Sequence, residues 1–276
     1  MRPAIVATGV FLAFAAPVTA QPQASPAPGA APGTRAWGTP LPPGMREGVM
    51  RRIAERASQG PHSRFDPATS ALVLVEFQRD WLDPRGTLRQ LVSEPDAMDE
   101  AGRRSEAALA AARQSGMRVV HVGLRLTPGY SELGRSYYGV RGIQPLVQPF
   151  REGTPGVEWA PAFTPRPGEF ETSGRTGISA FAGSNLDAYL RNNGIDTIYI
   201  AGFATEVCYE STIRDGHNLG YHVVALSDAT ASFTRAARDA SLTHAVHHFA
   251  HKMDTAAFTR MTAARAASAA APPASR

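Results

Sequence analysis

Cysteine and lysine are nearly missing from this chain: Cys208 and Lys252 are the single examples among 276 residues. One cysteine excludes an internal disulfide, and an unpaired thiol is a liability in an oxidising compartment. Cys208 is therefore either a small buried hydrophobe or a working nucleophile, and the count alone does not choose between them. The scarcity of lysine makes the net charge of +4 an arginine charge. Basic residues are mixed with acidic ones, as in Arg103, Arg104 and Glu106, or Glu210 and Arg214. No basic stripe with interleaved aromatics occurs, so the charge pattern gives nucleic acid no support as a partner. There is no internal repeat, and beyond the N-terminus no apolar run is long enough to suggest a membrane span.

The two ends read differently from the middle. Met1 to Ala20 carries Arg2, a mostly apolar run from Ala4 to Ala16, and the small residues Val18-Thr19-Ala20 before Gln21. This reads as a removable secretory signal over 1–20, with a periplasmic or secreted product and no membrane association after cleavage. An uncleaved anchor is the competing reading, but the run is stopped by Pro17 and falls short of the ~20 residues that a bilayer span needs. Residues 21–43 are dominated by Pro, Ala and Gly, and 264–276 by Ala, Pro and Ser. Such segments bury too little apolar surface to offset chain entropy, so both are expected to be disordered, leaving a folded domain over 44–263.

Inside that span, a helix is expected from Met45 to Ser58. Ala71 to Val75 is then a continuous apolar, β-rich run that ends in Glu76. Arg118 to Val122, Thr197 to Ala201 and Tyr221 to Leu226 are further runs of this kind, which suit strands buried on both faces of a parallel sheet. Helical stretches over Ala97 to Gln114, Asn185 to Asn193 and Cys208 to Leu219 alternate with them, stopped by Gly116, Gly194 and Gly220. The alternation predicts an α/β, doubly wound sheet with helices on both faces. The segment from Arg125 to Pro167 is rich in Gly, Pro and aromatics, has no clear period, and is too long for a plain connection.

In open sheets of this kind, ligands bind outside the carboxyl ends of the strands. That rule picks out Glu76, which closes the first strand, and the turn Gly202 to Cys208, which joins the Thr197 strand to the next helix. A cysteine at a helix start lies near free N–H groups and the positive dipole end, which favour thiolate. Glu76 on the same rim could act as its acid/base partner. The alternative is that Cys208 packs between helix and sheet while Glu76 pairs with an arginine.

These pieces resemble the isochorismatase-like cysteine hydrolases over roughly Ser70 to Phe258. The matching segments are Ala71 to Gln78, Gly153 to Gly156, Pro167 to Glu169, Ser179 to Phe181, Gly202 to Cys208, and Ser227 with Asp228. The resemblance implies a six-stranded, mainly parallel, Rossmann-like sheet and a catalytic triad of Glu76, Arg175 and Cys208. It also implies an oxyanion hole from the backbone N–H groups of Ala204 and Cys208, and a cis peptide between Phe203 and Ala204. Substrate-binding candidates on the matching segments are Gln78, Phe181 and Thr205, with Trp81 by family position; for Trp81 an ordinary core aromatic is the alternative.

Two positions depart from the family pattern, which usually has Asp where Glu76 stands and Lys where this chain has Arg175. Glu reaches one methylene further, and Arg can stabilise negative charge but cannot give up its proton. The departures leave two expectations: an exported hydrolase of small amide, ureido or imide-like C–N bonds, or a catalytically silent binding protein on the same fold. Nicotinamidases in the superfamily hold a metal with Asp and His after the first strand, whereas no histidine occurs here between His62 and His121. No metal or cofactor is therefore expected. His244, His247, His248 and His251 fall at helical spacing with Asp254 a turn further on, a set read as a solvated or packed helix face rather than a metal site. The expected partner is a small-molecule substrate, and homo-oligomer formation is left open.

Overall fold

The computed structural model describes residues 65–134 and 138–270, together with 40, 42–45, 47–49, 51 and 52. The chain divides into two compact units, Met1–Arg51 and Arg52–Arg276. Residues 45 and 47–49 are helical. The expected signal over 1–20, nearly all of the linker over 21–43, and residues 53–58 of the first expected helix lie outside the described residues.

The second unit is built on six parallel strands: β1 Ser70–Val75, β2 Arg118–Val122, β3 Phe170–Glu171, β4 Thr197–Phe203, β5 His222–Ala231 and β6 His251–Met253, in the spatial order β3-β2-β1-β4-β5-β6. Seven helices accompany them: α1 Arg79–Leu82, α2 Pro95–Ser115, α3 Gly139–Val147, α4 Leu186–Asn192, α5 Glu210–Asn218, α6 Arg235–His244 and α7 Thr255–Ala270. The four strands expected from apolar runs are β1, β2, β4 and β5.

Alternation along β1 divides the core. Leu72 and Leu74 face one layer with Met98 and Leu109 of α2 and Phe258 of α7, whereas Ala71, Val73 and Val75 face the other with Leu190 of α4 and Ile213 of α5. All are buried. Each fully buried large aliphatic contributes about 1.5–3 kcal/mol by leaving water, which is why an unbroken apolar run belongs in the middle of such a sheet. Helix α2 starts with Pro95 in its first turn and stops at Gly116, whose φ of 74° lets its N–H return to the carbonyls of Ala112 and Arg113.

Strands β3 and β6 were not legible as strands. They are two and three residues long, too short for a period, and lie at the sheet edges, where short strands limit unwanted pairing. Strand β6 also corrects the histidine reading: α6 ends at His244, Val246–His248 is a 3-10 turn and His251 is in β6, so the four histidines do not share a helix face. Helix α7 runs to Ala270, past the boundary placed at 263, because an alanine-rich stretch has the best intrinsic helix propensity. No helix among the described residues is long and apolar enough to cross a membrane.

Strand order reverses between β1 and β4: β2 and β3 lie beyond one, β5 and β6 beyond the other. The crevice outside their carboxyl ends is where such sheets place ligands. Gly202 in β4 pairs with Val75 in β1, and a Cβ on it would come within 2.4 Å of the Val75 carbonyl oxygen, so only glycine permits this approach.

Candidate active site

Glu76 leaves β1 in the left-handed region, with φ 62°, while its N–H still donates to Val122 O at 2.8 Å. That conformation costs a non-glycine residue about 1–2 kcal/mol and turns the chain sharply at the strand end. The carboxyl group is buried. Its Oε1 lies 2.7 Å from Arg175 Nη2, and its Oε2 accepts from Trp81 Nε1 at 3.0 Å. Arg175 is fixed from behind by carbonyls: Nε donates to Gly177 and Ser179 at 3.1 and 3.2 Å, and Nη2 to Ile178. The two residues that depart from the family pattern therefore meet as one buried ion pair, at side-chain exposures of 2% for Arg175 and 1% for Glu76.

Cys208 does not open an α-helix, contrary to the sequence expectation. It sits in a π-helical turn, Thr205–Tyr209, and α5 begins only at Glu210. Tyr209 N–H closes the turn onto Ala204 O at 3.2 Å. Thr212 Oγ1 donates to Cys208 O at 2.6 Å and accepts from Ala180 N at 2.9 Å, tying the nucleophile's turn to the segment that follows Arg175. The peptide between Phe203 and Ala204 is cis.

The thiol interacts with both Glu76 and Arg175. Burial pushes its pKa well above the ordinary value and the neighbouring carboxylate adds to the rise, whereas Arg175 opposes it. This reverses the expectation that the helix start would favour thiolate. A carboxylate and a guanidinium already balance each other, and a thiolate would add an uncompensated second anion to a buried site. Arg175 remains a cation: burial works against its charge, but Glu76 and Cys208 hold its pKa above the ordinary value. The resting centre is a neutral thiol beside a closed ion pair, suited to transferring the thiol proton to Glu76 as the sulfur attacks.

Glu76, Trp81, Ala204 and Cys208 line a cavity of about 130 Å³. Trp81 thus has two roles, as a wall and as the donor that holds Glu76. Gln78, Thr205 and Phe181 do not line the cavity. The Gln78 amide is spent on backbone, with Nε2 donating to Leu124 O and Val157 O at 2.9 and 2.7 Å, and Oε1 accepting from Leu124 N at 2.8 Å. Thr205 shares a 2.8 Å hydrogen bond with Thr230, between the π-helical turn and β5. Phe181 stacks on Tyr221 at 5.8 Å, in the core layer that also holds Cys208. All three make these contacts around the site without lining the cavity. Asp80 is another brace: it accepts from Thr87 N at 3.0 Å and Phe150 N at 2.5 Å, and packs so tightly on Gly156 that a Cβ there would fall 2.3 Å from its Oδ1. Asp228, from a matching segment, accepts from Thr255 N and Oγ1, each at 2.8 Å, and so holds the start of α7.

The outer wall of the cavity was missed in the sequence. Val140, Ile143, Gln144 and Val147 of α3 line it, inside the segment read as a loop without period. Their spacing of i, i+3, i+4 and i+7 is the helical signal that could have found them, masked by Gly139, Gly142 and Pro145. Among the described residues, no group of three or more His, Cys, Asp or Glu side chains could hold a metal ion.

The model of the isochorismatase domain matches residues 70–257. Among curated relatives, the ureidoacrylate amidohydrolase RutB of Caulobacter vibrioides is 30% identical over 203 residues, covering 70% of this chain and 82% of the relative. RutB of Methylobacterium radiotolerans is 30% identical over 177 residues, covering 60% and 68%. A cysteine hydrolase from Pseudomonas syringae pv. phaseolicola superposes with a TM-score of 0.65 at 28% identity, over 73% of this chain and 95% of that one. N-carbamoylsarcosine amidase from Thermoplasma acidophilum shares the fold, with a TM-score of 0.54 at 24% identity over 68% and 96%. The chain belongs to the isochorismatase family, as a hydrolase of the amidohydrolase type.

Proposed function

We propose that the protein is an exported cysteine hydrolase that cleaves a C–N bond of a small amide, ureido or imide-like substrate through an acyl-thioenzyme. The observation that carries this reading is the buried Glu76–Arg175 pair beside Cys208, with Glu76 and Cys208 lining a cavity of about 130 Å³. Cys208 Sγ attacks the carbonyl carbon while its proton passes to Glu76. The resulting oxyanion is received by the N–H groups of Ala204 and Cys208; losing one such donor typically costs about 10²- to 10³-fold. Collapse breaks the C–N bond, and the amine leaves with the proton from Glu76. Water then gives a proton to Glu76 and attacks the thioester, and the expelled sulfur regains that proton as the acid departs.

Arg175 does not shuttle protons in this scheme, because a guanidinium cannot give one up. It pairs with Glu76 and orients it, from a position locked by three carbonyls. The relatives named ureidoacrylate amidohydrolase support a C–N bond as the target. Export rests on the signal-like sequence Met1 to Ala20, and the N-terminus of the mature protein tests it: cleavage before Gln21 is expected, and an intact Met1 in a membrane-free cytoplasmic fraction overturns it.

For the chemistry, mass spectrometry of protein quenched during turnover of a panel of small amides, ureas and cyclic imides should show an acyl adduct on Cys208. Cys208→Ala should lose at least about 10⁴-fold in kcat with an unchanged circular dichroism spectrum. Hydrolysis that persists in that variant removes the proposed nucleophile.

A further inference from the structure

The walls of the catalytic cavity restrict the substrate further than the chemistry does. Beyond the reacting groups Glu76 and Cys208, the described lining is formed by side chains such as Leu88, Val140, Ile143, Phe150 and Phe233, with no Arg, Lys or His among it. Arg175 is not among the lining residues; it is buried and already ion-paired with Glu76. A carboxylate in this cavity would be a buried, unpaired charge next to Glu76, the arrangement that proteins avoid most strongly. The remaining polar wall residue is Gln144 on α3. It is buried, and its Oε1 has no hydrogen-bond partner. Buried amide oxygens are rarely left orphaned, and a primary carboxamide supplies both the donor and the acceptor that a glutamine amide complements. The volume of about 130 Å³ is near that of a cavity that holds one benzene-sized molecule, on the order of 150 Å³.

From these observations we infer that the site takes neutral carboxamides with a compact apolar acyl group, positioned by Gln144, and rejects amides whose acyl part carries a carboxylate. The inference rests on the proposed site and narrows its substrate class.

Butyramide and succinamate form a matched pair of probes, because they differ by a methyl in place of a carboxylate at the same chain position. Binding to Cys208→Ala, followed by ligand-observed NMR titration, reads the cavity without needing turnover. Butyramide should bind at least about 30-fold more tightly than succinamate, as expected when one ligand must bury an unpaired charge. In the wild type, kcat/KM should favour butyramide in the same direction. Gln144→Leu should weaken butyramide binding about tenfold and raise KM with little change in kcat, as loss of one substrate hydrogen bond predicts.

Equal or tighter binding of succinamate, or no binding of either probe, overturns the substrate class. Unchanged butyramide affinity in Gln144→Leu overturns the role of Gln144. If Cys208→Ala binds butyramide selectively but the wild type hydrolyses neither probe, the substrate class stands and the proposed hydrolysis falls.

Discussion

Two carboxylates among the described residues, the half-buried Glu169 and the buried Glu76, are each held by an arginine, and only Glu76 lines the cavity beside Cys208. Glu169, beside β3, has no valence left. It accepts from Arg113 Nε and Nη2 at 2.7 and 3.0 Å, from Arg166 N at 2.9 Å, and bonds His121 Nε2 at 2.8 Å. Burial pulls its pKa up, but Arg113, the Arg166 N–H and His121 outweigh it and hold the carboxyl at about 2. Glu76 has two anchors, Arg175 and Trp81, and a thiol and a cavity beside them. The saturated carboxylate clamps the segment after the long connection onto β2. The less saturated one can take a proton and return it. An arginine partner is common to both; residual coordination and deeper burial set Glu76, the carboxylate proposed to act in catalysis, apart from Glu169.

Neutralising each in turn tests that contrast and carries the largest effect. Glu76→Gln should lower kcat about 10²- to 10⁴-fold by removing the acid/base group, and should cost about 3–5 kcal/mol in urea unfolding because Arg175 is left buried and unpaired. Glu169→Gln should cost about 1–3 kcal/mol through weakened charge-assisted hydrogen bonds, with kcat kept. Loss of kcat from Glu169→Gln with the fold intact would erase the distinction.

A smaller effect is expected from exchanging the pair toward the usual family residues. Glu76→Asp shortens the reach to Arg175 Nη2, and Arg175→Lys loses the Nε donor to the Gly177 and Ser179 carbonyls. Each alone should reduce kcat/KM about tenfold, while the double change recovers part of the loss through non-additive coupling between touching residues. A strong rise in kcat from Arg175→Lys alone would mark the arginine as a defect and favour a weakened enzyme.

The protonation states give the mildest perturbations. Because burial and Glu76 raise the Cys208 thiol pKa, iodoacetamide should alkylate the resting enzyme slowly at pH 7, with the rate climbing only above the ordinary thiol value of 9.0. An inflection below pH 8 would mean that Arg175 dominates instead. Glu169 has a folded pKa of about 2 against an ordinary 4.5, so its contribution to stability is complete above about pH 4.5 and is lost as pH falls toward 2. Urea midpoints followed from pH 6 downward should therefore fall less steeply in Glu169→Gln than in the wild type.

Parts of this arrangement were legible in the residues alone. Ala71 to Val75 and Thr197 to Ala201 read as central strands because burial on both faces demands unbroken apolar runs, and Gly116 marked the end of α2 because few other residues accept a positive φ. The rim position of Glu76 and Cys208 followed from the sheet rule. Strands β3 and β6 were not legible, since two or three residues carry no period and edge pairing is imposed by neighbours. Helix α3 was hidden by Gly139, Gly142 and Pro145, which suggest a loop unless its four wall residues are counted by spacing.

The sequence by itself determined the α/β class, the rim position of Glu76 and Cys208 and the types of group available there, because strand and helix patterns are local and the α/β topology follows from their alternation. Only the tertiary structure decided that Arg175 closes on Glu76, that burial and Glu76 raise the Cys208 thiol pKa, and that Gln78, Thr205 and Phe181 lie outside the cavity lining. Those outcomes depend on which buried atoms already have partners and on how many charges share one desolvated space, both set by residues far apart in the chain that meet only when the sheet is assembled.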